Sequence, residues 1–190
     1  PAIIESIRAG LVFQLKDAVG VTAIEKAEPD FIKRAIARWR AHPHLKILGN
    51  QDAWRLSIVS FMVAYRGGYL HHNYVVALLN DLFGIQARGG CSCAGTYGHY
   101  LLHVDRQHSK SITDKIDAGD LSDKPGWVRL SLHPTTTNDE LNFITDALVQ
   151  IQKNISIWQS DYLYNSHSNE YHHKNENGTL AKMTKSWFEV

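Results

Sequence analysis

The sequence predicts an α+β domain, a small mixed or antiparallel sheet with helices packed on it. Apolar residues recur at three- and four-residue spacing in several long stretches, the mark of helices that bury one face. Three other stretches are short, β-branched and bounded by turn residues, as strands are. Helices and strands alternate irregularly, and short turns join several of them, which does not suit a strictly parallel βαβ arrangement.

In chain order, Ile4, Ile7, Leu11, Leu15 and Val19 form one helical stripe, with Glu5, Arg8, Lys16 and Asp17 off it and Gly20 as the stop. Thr22 and Glu25 have capping-box spacing for a second helix, which Pro29 is expected to kink or restart. Phe31, Ile32, Ala35, Ile36 and Trp39 continue its apolar face, and Lys33, Arg34, Arg38 and Arg40 read as its solvated side. LKILGN and LSIVSFMVAY then suggest two strands, the second apolar on both faces and hence central. Residues 71–82 return to helical spacing before Gly84, and Ile85–Ala87 reads as a short strand. Ser109–Ala118 reads as a polar surface helix. Trp127–Leu132 alternates, with Val128, Leu130 and Leu132 on one face and Trp127, Arg129 and Ser131 on the other. Thr137 and Glu140 form a second capping box ahead of Leu141, Ile144, Leu148, Ile151, Ile155 and Trp158, the clearest helix in the chain. From about Asp161 the composition turns to Asn, His, Ser and Tyr, and a loosely held tail is expected, regaining contact at Trp187 and Phe188. The expected organisation is therefore an interdomain helix over 1–20, a small domain over 21–160 and a tail over 161–190.

Composition excludes several classes. A net charge of +1 provides no broad field for nucleic acid, and no run reaches the length of apolar residues that a membrane span needs. Two cysteines one residue apart cannot build a disulfide framework, which favours a reducing, cytoplasmic setting.

The stretch ARGGCSCAGTYGHYLL, residues 87–102, concentrates the chain's reactive and conformationally permissive residues. A thiol at Cys91 or Cys93 between glycines can sit on a loop, and Arg88 supplies an electropositive neighbour of the kind a nucleophilic or sulfur-accepting cysteine needs. Two thiols so close can also exchange or share a bound sulfur. The alternatives are two small buried apolar residues, or a zinc centre from Cys91, Cys93, His99 and His103, if the two histidines share a helix face. Arg129, on the strand face away from the apolar one, has the fork that grips a carboxylate. The pairs His71–His72, His172–His173 and His42 with His44 read as solvated helix ends and tail.

The runs RGGCSCAGTYGH, LLNDLFGIQA before it and KPGWVRLSL after it resemble the C-terminal part of the class V aminotransferase family, pyridoxal-phosphate enzymes of fold type I that include cysteine desulfurases and selenocysteine lyases. PAIIESIRAGLVFQLKDAVG resembles the helix that leads from that family's large cofactor domain into its small domain. The resemblance implies the small C-terminal domain of such an enzyme, with desulfurase or lyase chemistry favoured over transamination. Arg88, Gly90, Cys93 and Ala94 match the Arg-x-Gly-x-x-Cys-Ala loop whose cysteine takes sulfur from the substrate, with Cys91 an additional thiol. Arg129 matches the arginine that binds the substrate's α-carboxylate. The resemblance places the Schiff-base lysine, the aspartate on the pyridine nitrogen and the stacking histidine in a large domain upstream. Pyridoxal phosphate is thus expected in the full-length parent, an amino-acid-consuming homodimer, and not in these 190 residues, which alone should be inactive.

Overall fold

The computed structural model describes residues 2–175 and 178–188. Its centre is an antiparallel sheet of β1 (Leu45–Ile47), β2 (Ile58–Tyr65), β5 (Trp127–Ser131) and β4 (Arg88–Gly90), in the spatial order β1-β2-β5-β4, with the two-residue β3 (Gly68–Tyr69) pairing back on the end of β2. Every pairing is antiparallel, so of the two sheet types the sequence allowed, the antiparallel one is realised. β2 is central, as its two apolar faces required.

One face of the sheet carries Val59, Phe61, Val63, Val128, Leu130 and Leu132, all buried. Three helices cover it: α2 (Val21–Arg40), α3 (His72–Phe83) and α6 (Asn138–Trp158). They contribute Ile32, Ala35, Ile36 and Trp39, then Val75, Leu78 and Leu79, then Leu141, Leu148, Ile151 and Ile155, each set at helical spacing. Truncating one of these fully buried side chains to alanine costs roughly 2–5 kcal/mol. The polar sides of α2 and α6 are clamped together by Arg34 on Asn138 at 2.7 Å and by Arg38 on Asp146 and Asn142, while Arg40 reaches Asp52 at 2.9 Å. Three arginines of the basic side of α2 are therefore paired with neighbouring elements.

The opposite face carries Leu48, Met62 and Trp127, which pack with Ala94, Leu101 and Leu102. The last two sit at the end of α4 (Gly95–Leu101), and Gly98 lies flat against the Trp127 ring, where a Cβ would meet it at 3.4 Å. α5 (Arg106–Asp117) follows. Only the Trp127 end of this face is covered, because Ile58, Leu56 and Trp54, at the other end, are exposed.

Several local expectations shift. α2 runs unbroken through Pro29, and it starts at Val21, so Thr22 lies inside the helix and caps nothing. The capping box at Thr137 forms in full, Glu140 N–H donating to the threonine hydroxyl and Thr137 N–H to the glutamate carboxylate. The short strand expected at Ile85–Ala87 lies three residues later, at Arg88–Gly90. α1 (Ile3–Val19) is a helix as its spacing required, but its stripe stays exposed among the described residues and none of its residues is buried. Ile3, Val12 and Phe13 add apolar residues beyond the stripe, and a helix apolar on most sides is one built to be covered.

The stretch expected to be loose from Asp161 onwards instead forms a hairpin, β6 (Tyr162–Asn165) with β7 (Glu170–His173). It docks on α3 through ring contacts: Tyr171 stacks on Tyr74 at 4.7 Å, and Tyr164 and Tyr171 lie tilted 5.4 and 5.5 Å from His71. Tyr162 donates a hydrogen bond to Asp81 at 3.0 Å. Burial and the nearby acidic and phenolic groups push the Tyr74 hydroxyl up to about 12. Beyond the hairpin, α7 (Thr179–Ser186) follows, and Trp187 and Phe188, expected to regain contact, are exposed.

Candidate active site

β4 and β5 place two arginines side by side. Arg88 is the register partner of Arg129, and Ser60 of β2 is the partner on the other side of Arg129, so all three project from the incompletely covered face of the sheet. Like charges directly opposite one another weaken a strand pair, and among the described residues no carboxylate pairs with either arginine. Arg129 has no side-chain hydrogen bond or ion pair among the described residues, which leaves its fork free for a ligand.

Arg88 turns to the chain that follows it: its Nη2 donates to the Cys93 sulfur at 3.7 Å. That sulfur is presented by a tight turn, closed by Ala94 N–H donating to the Cys91 carbonyl at 2.9 Å. Ser92 and Cys93, the two central residues, have φ of 52° and 59°, the signature of a type I′ turn. Such positions favour Gly, Asn or Asp, so two side chains are held there at a cost of order 1 kcal/mol each. In return Cys93 stands exposed while Cys91, at the root of the turn, is half-buried.

The turn roofs a cavity of about 290 Å³ lined by Arg88, Cys91, Ser92, Cys93, His72, Asn73, Lys124 and Asn169, with the backbone of Gly89 and Gly90. The floor is His72, only 6% exposed. Its imidazole is pushed down to about 4 by burial first, then by His71 and Lys124, so it is neutral at ordinary pH. The fit around it is close: a Cβ on Gly126 would lie 2.6 Å from its Cε1 and 2.7 Å from the Gly90 Cα, and one on Gly89 would lie 2.3 Å from Asn73 Oδ1. His71 caps α3 by accepting from Asn73 N–H at 3.2 Å and stacks on His72 at 4.3 Å. Asn73 in turn donates to the Asn169 carbonyl at 2.6 Å, and Tyr164 donates to Asn169 Oδ1 at 2.9 Å, which ties the hairpin to the cavity.

The structure thus brings together Arg88, Cys91 and Cys93, with Arg129 beside Arg88. It corrects the reading of His71–His72 as a solvated helix end. The sequence reading also missed Lys124 and Asn169; the alternating aromatics of YLYN and EYHH around a Ser/Asn-rich turn are a hairpin signature that would have carried Asn169 towards the site. The zinc alternative loses its geometry. His99 is on α4 but His103 lies past its end at φ 54°, and among the described residues no three His, Cys, Asp or Glu side chains gather as a metal site. No helix among the described residues is long and apolar enough to cross a membrane.

The family model for class-V aminotransferases matches residues 1–144. The chain belongs to the class-V aminotransferase family. Among solved structures it is similar to an apo cysteine desulfurase from Thermococcus onnurineus NA1, at 22% identity and a TM-score of 0.49, over 73% of this chain. The match spans 28% of the length of that enzyme. A search of curated protein sequences returned no match.

Enzymes of this family use pyridoxal phosphate, and the cavity under the thiol turn does not by itself fit that group. The cavity offers Lys124, Arg88 and Ser92, but none of its lining residues is a carboxylate, so it lacks the aspartate that the family resemblance sets against the pyridine nitrogen.

Proposed function

We propose that this chain is the substrate-handling small domain of a pyridoxal-phosphate-dependent enzyme of the cysteine desulfurase or lyase type, working against a large domain that holds the cofactor. The observation that carries the reading is the cross-strand pair Arg88–Arg129 with the Cys93 sulfur 3.7 Å from Arg88. An unpaired arginine fork on an open sheet face suits the α-carboxylate of an amino acid, and an exposed thiol one turn away suits the acceptance of its sulfur. The cofactor would supply the electron sink. This chain's share is to orient the carboxylate at Arg129, to place Arg88 where an anionic sulfur can be met, and to keep the sulfur on Cys93 as a persulfide.

The apolar residues of α1, uncovered among the described residues, fit a surface against the large domain, and the intact enzyme is proposed to be a homodimer. Two free thiols accord with a reducing, cytoplasmic setting. The isolated chain is expected to show no borohydride-reducible cofactor absorbance and no turnover. The test uses the full-length parent with cysteine as substrate, measuring alanine and protein-bound sulfur. Cys93→Ser should abolish sulfur transfer to protein, and unchanged sulfur transfer in that variant would refute the role.

A further inference from the structure

Behind the turn lies a second cavity of about 190 Å³, mainly apolar, whose walls include His99, Ile112, Ile116 and Trp127. Cys91 and Lys124 line both cavities. Cys91 therefore stands at the partition, half-buried, with the exposed Cys93 two residues away in the same turn. Consecutive Cα atoms are about 3.8 Å apart, so the two Cα atoms are at most ~7.6 Å apart, and the turn draws them closer. Among the described residues no carboxylate lines either cavity. Each is flanked by a buried donor without a partner among the described residues, the Ser92 hydroxyl for the first and the indole N–H of Trp127 for the second. Trp127 is 4% exposed, so that N–H is shut off from bulk water as well.

We propose that Cys91 is a second sulfur carrier: it takes the sulfane sulfur from Cys93 and holds it as a persulfide at the mouth of the inner cavity. The idea rests on the desulfurase reading for the origin of that sulfur. In the step itself the Cys91 sulfur attacks the terminal sulfur of the Cys93 persulfide. The new Cys91–sulfur bond forms as the Cys93–sulfur bond breaks, and Cys93 leaves with the electron pair next to the Arg88 guanidinium. The proton of the Cys91 thiol passes to Cys93, so a persulfide anion and a thiol become a thiol and a persulfide anion. No external oxidant or reductant is required, because the two-electron oxidation moves from one cysteine to the other. Lys124 lines both cavities and can accompany the negative charge. The gain is shelter, since a sulfur left on Cys93 stays exposed to any passing thiol, while one on Cys91 is half-buried.

The experiment loads the full chain with one equivalent of inorganic polysulfide, quenches with an alkylating agent at intervals, and locates the extra sulfur atom by fragmenting the peptide that carries both cysteines. Wild type should show label on Cys93 first and then most of it on Cys91. In Cys91→Ser, with Cys91→Ala as a second variant, label should stay on Cys93 and be stripped by added thiol about tenfold faster than from wild type. In Cys93→Ser, Cys91 should load about tenfold more slowly, because its thiol is half-buried. Label that remains on Cys93 in wild type, or Cys91 loading at an unchanged rate without Cys93, would overturn the relay. So would a Cys91–Cys93 disulfide formed with release of sulfide. Failure of the desulfurase reading looks different: cysteine would leave Cys93 unloaded in the full-length parent while polysulfide still loads it and the sulfur still moves.

Discussion

Gly126→Ala tests how closely α3, β4 and β5 are fitted under the thiol turn. The added Cβ would stand 2.6 Å from His72 Cε1, 2.7 Å from His72 Nδ1 and 2.7 Å from the Gly90 Cα, against an ordinary contact beginning at 3.4 Å. Each contact is too close by about 0.7–0.8 Å. Neither partner can retreat cheaply. The His72 ring is buried and stacked on His71, and Gly90 is backbone in β4, paired with Trp127. Relief requires β4 to move relative to α3, and overpacking of this kind costs about 1–3 kcal/mol, with the upper half expected here because one of the obstacles is backbone. In a chain of this size that is a fall in Tm of roughly 4–12 °C, or about 1 M in the urea midpoint with the slope m unchanged. Gly10→Ala is the control, since its Cβ meets nothing within 4 Å in the middle of α1, and it should be neutral or stabilise by roughly 0.5–1 kcal/mol. A Gly126→Ala midpoint within about 0.5 kcal/mol of wild type would refute the close packing of glycine, histidine and strand.

The remaining predictions concern charge, capping and substrate. His72 is neutral in the folded state down to about pH 4 and, once unfolded, takes a proton near its ordinary value. Stability should therefore be level above about pH 6.5, fall by up to ~3 kcal/mol as pH drops to about 4, and level off below that; His71, also lowered by burial, adds in the same direction. Urea midpoints across this window should lose most of their slope in His72→Gln, and an unchanged slope would contradict the assignment. Thr137→Ala removes the side-chain half of the capping box on α6, the hydroxyl that accepts from Glu140 N–H, and should cost about 1 kcal/mol by the same assay. Arg129→Ala in the full-length parent should raise KM for the amino acid about 10- to 100-fold, the worth of a charge-assisted pair, while Arg129→Lys restores only part of it because a point charge cannot replace the fork. A KM that does not move would exclude Arg129 from carboxylate binding.

What was legible beforehand follows from which interactions are local. The helical stripes of α2, α3 and α6, the alternation of Trp127–Ser131 and the Thr137–Glu140 box depend on residues within a turn or two of each other, and these elements stand where the spacing put them. Cys93, Arg88 and Arg129 were legible as residue types in a pattern. Their mutual placement was not, because the register of β4 on β5 depends on hydrogen bonds between strands about forty residues apart, and β4 itself was expected three residues early. The hairpin was missed because Tyr and His at alternate positions amid Asn and Ser look polar until α3 provides rings to stack on. The helix at Gly95–Leu101 was obscured by its glycines, one of which lies against the ring of Trp127.

The sequence by itself determined an α+β domain, a central β2, the thiol-bearing loop and its family. Only the tertiary structure decided that Arg88 and Arg129 stand side by side, that His72 lies buried beneath the turn, and that Cys91 faces two cavities while Cys93 faces one. Periodicity is written in neighbouring residues and survives without a fold. The charge, shelter and reach of a side chain depend on what distant segments bring against it, and here those segments are α3, β5 and a hairpin from the far end of the chain.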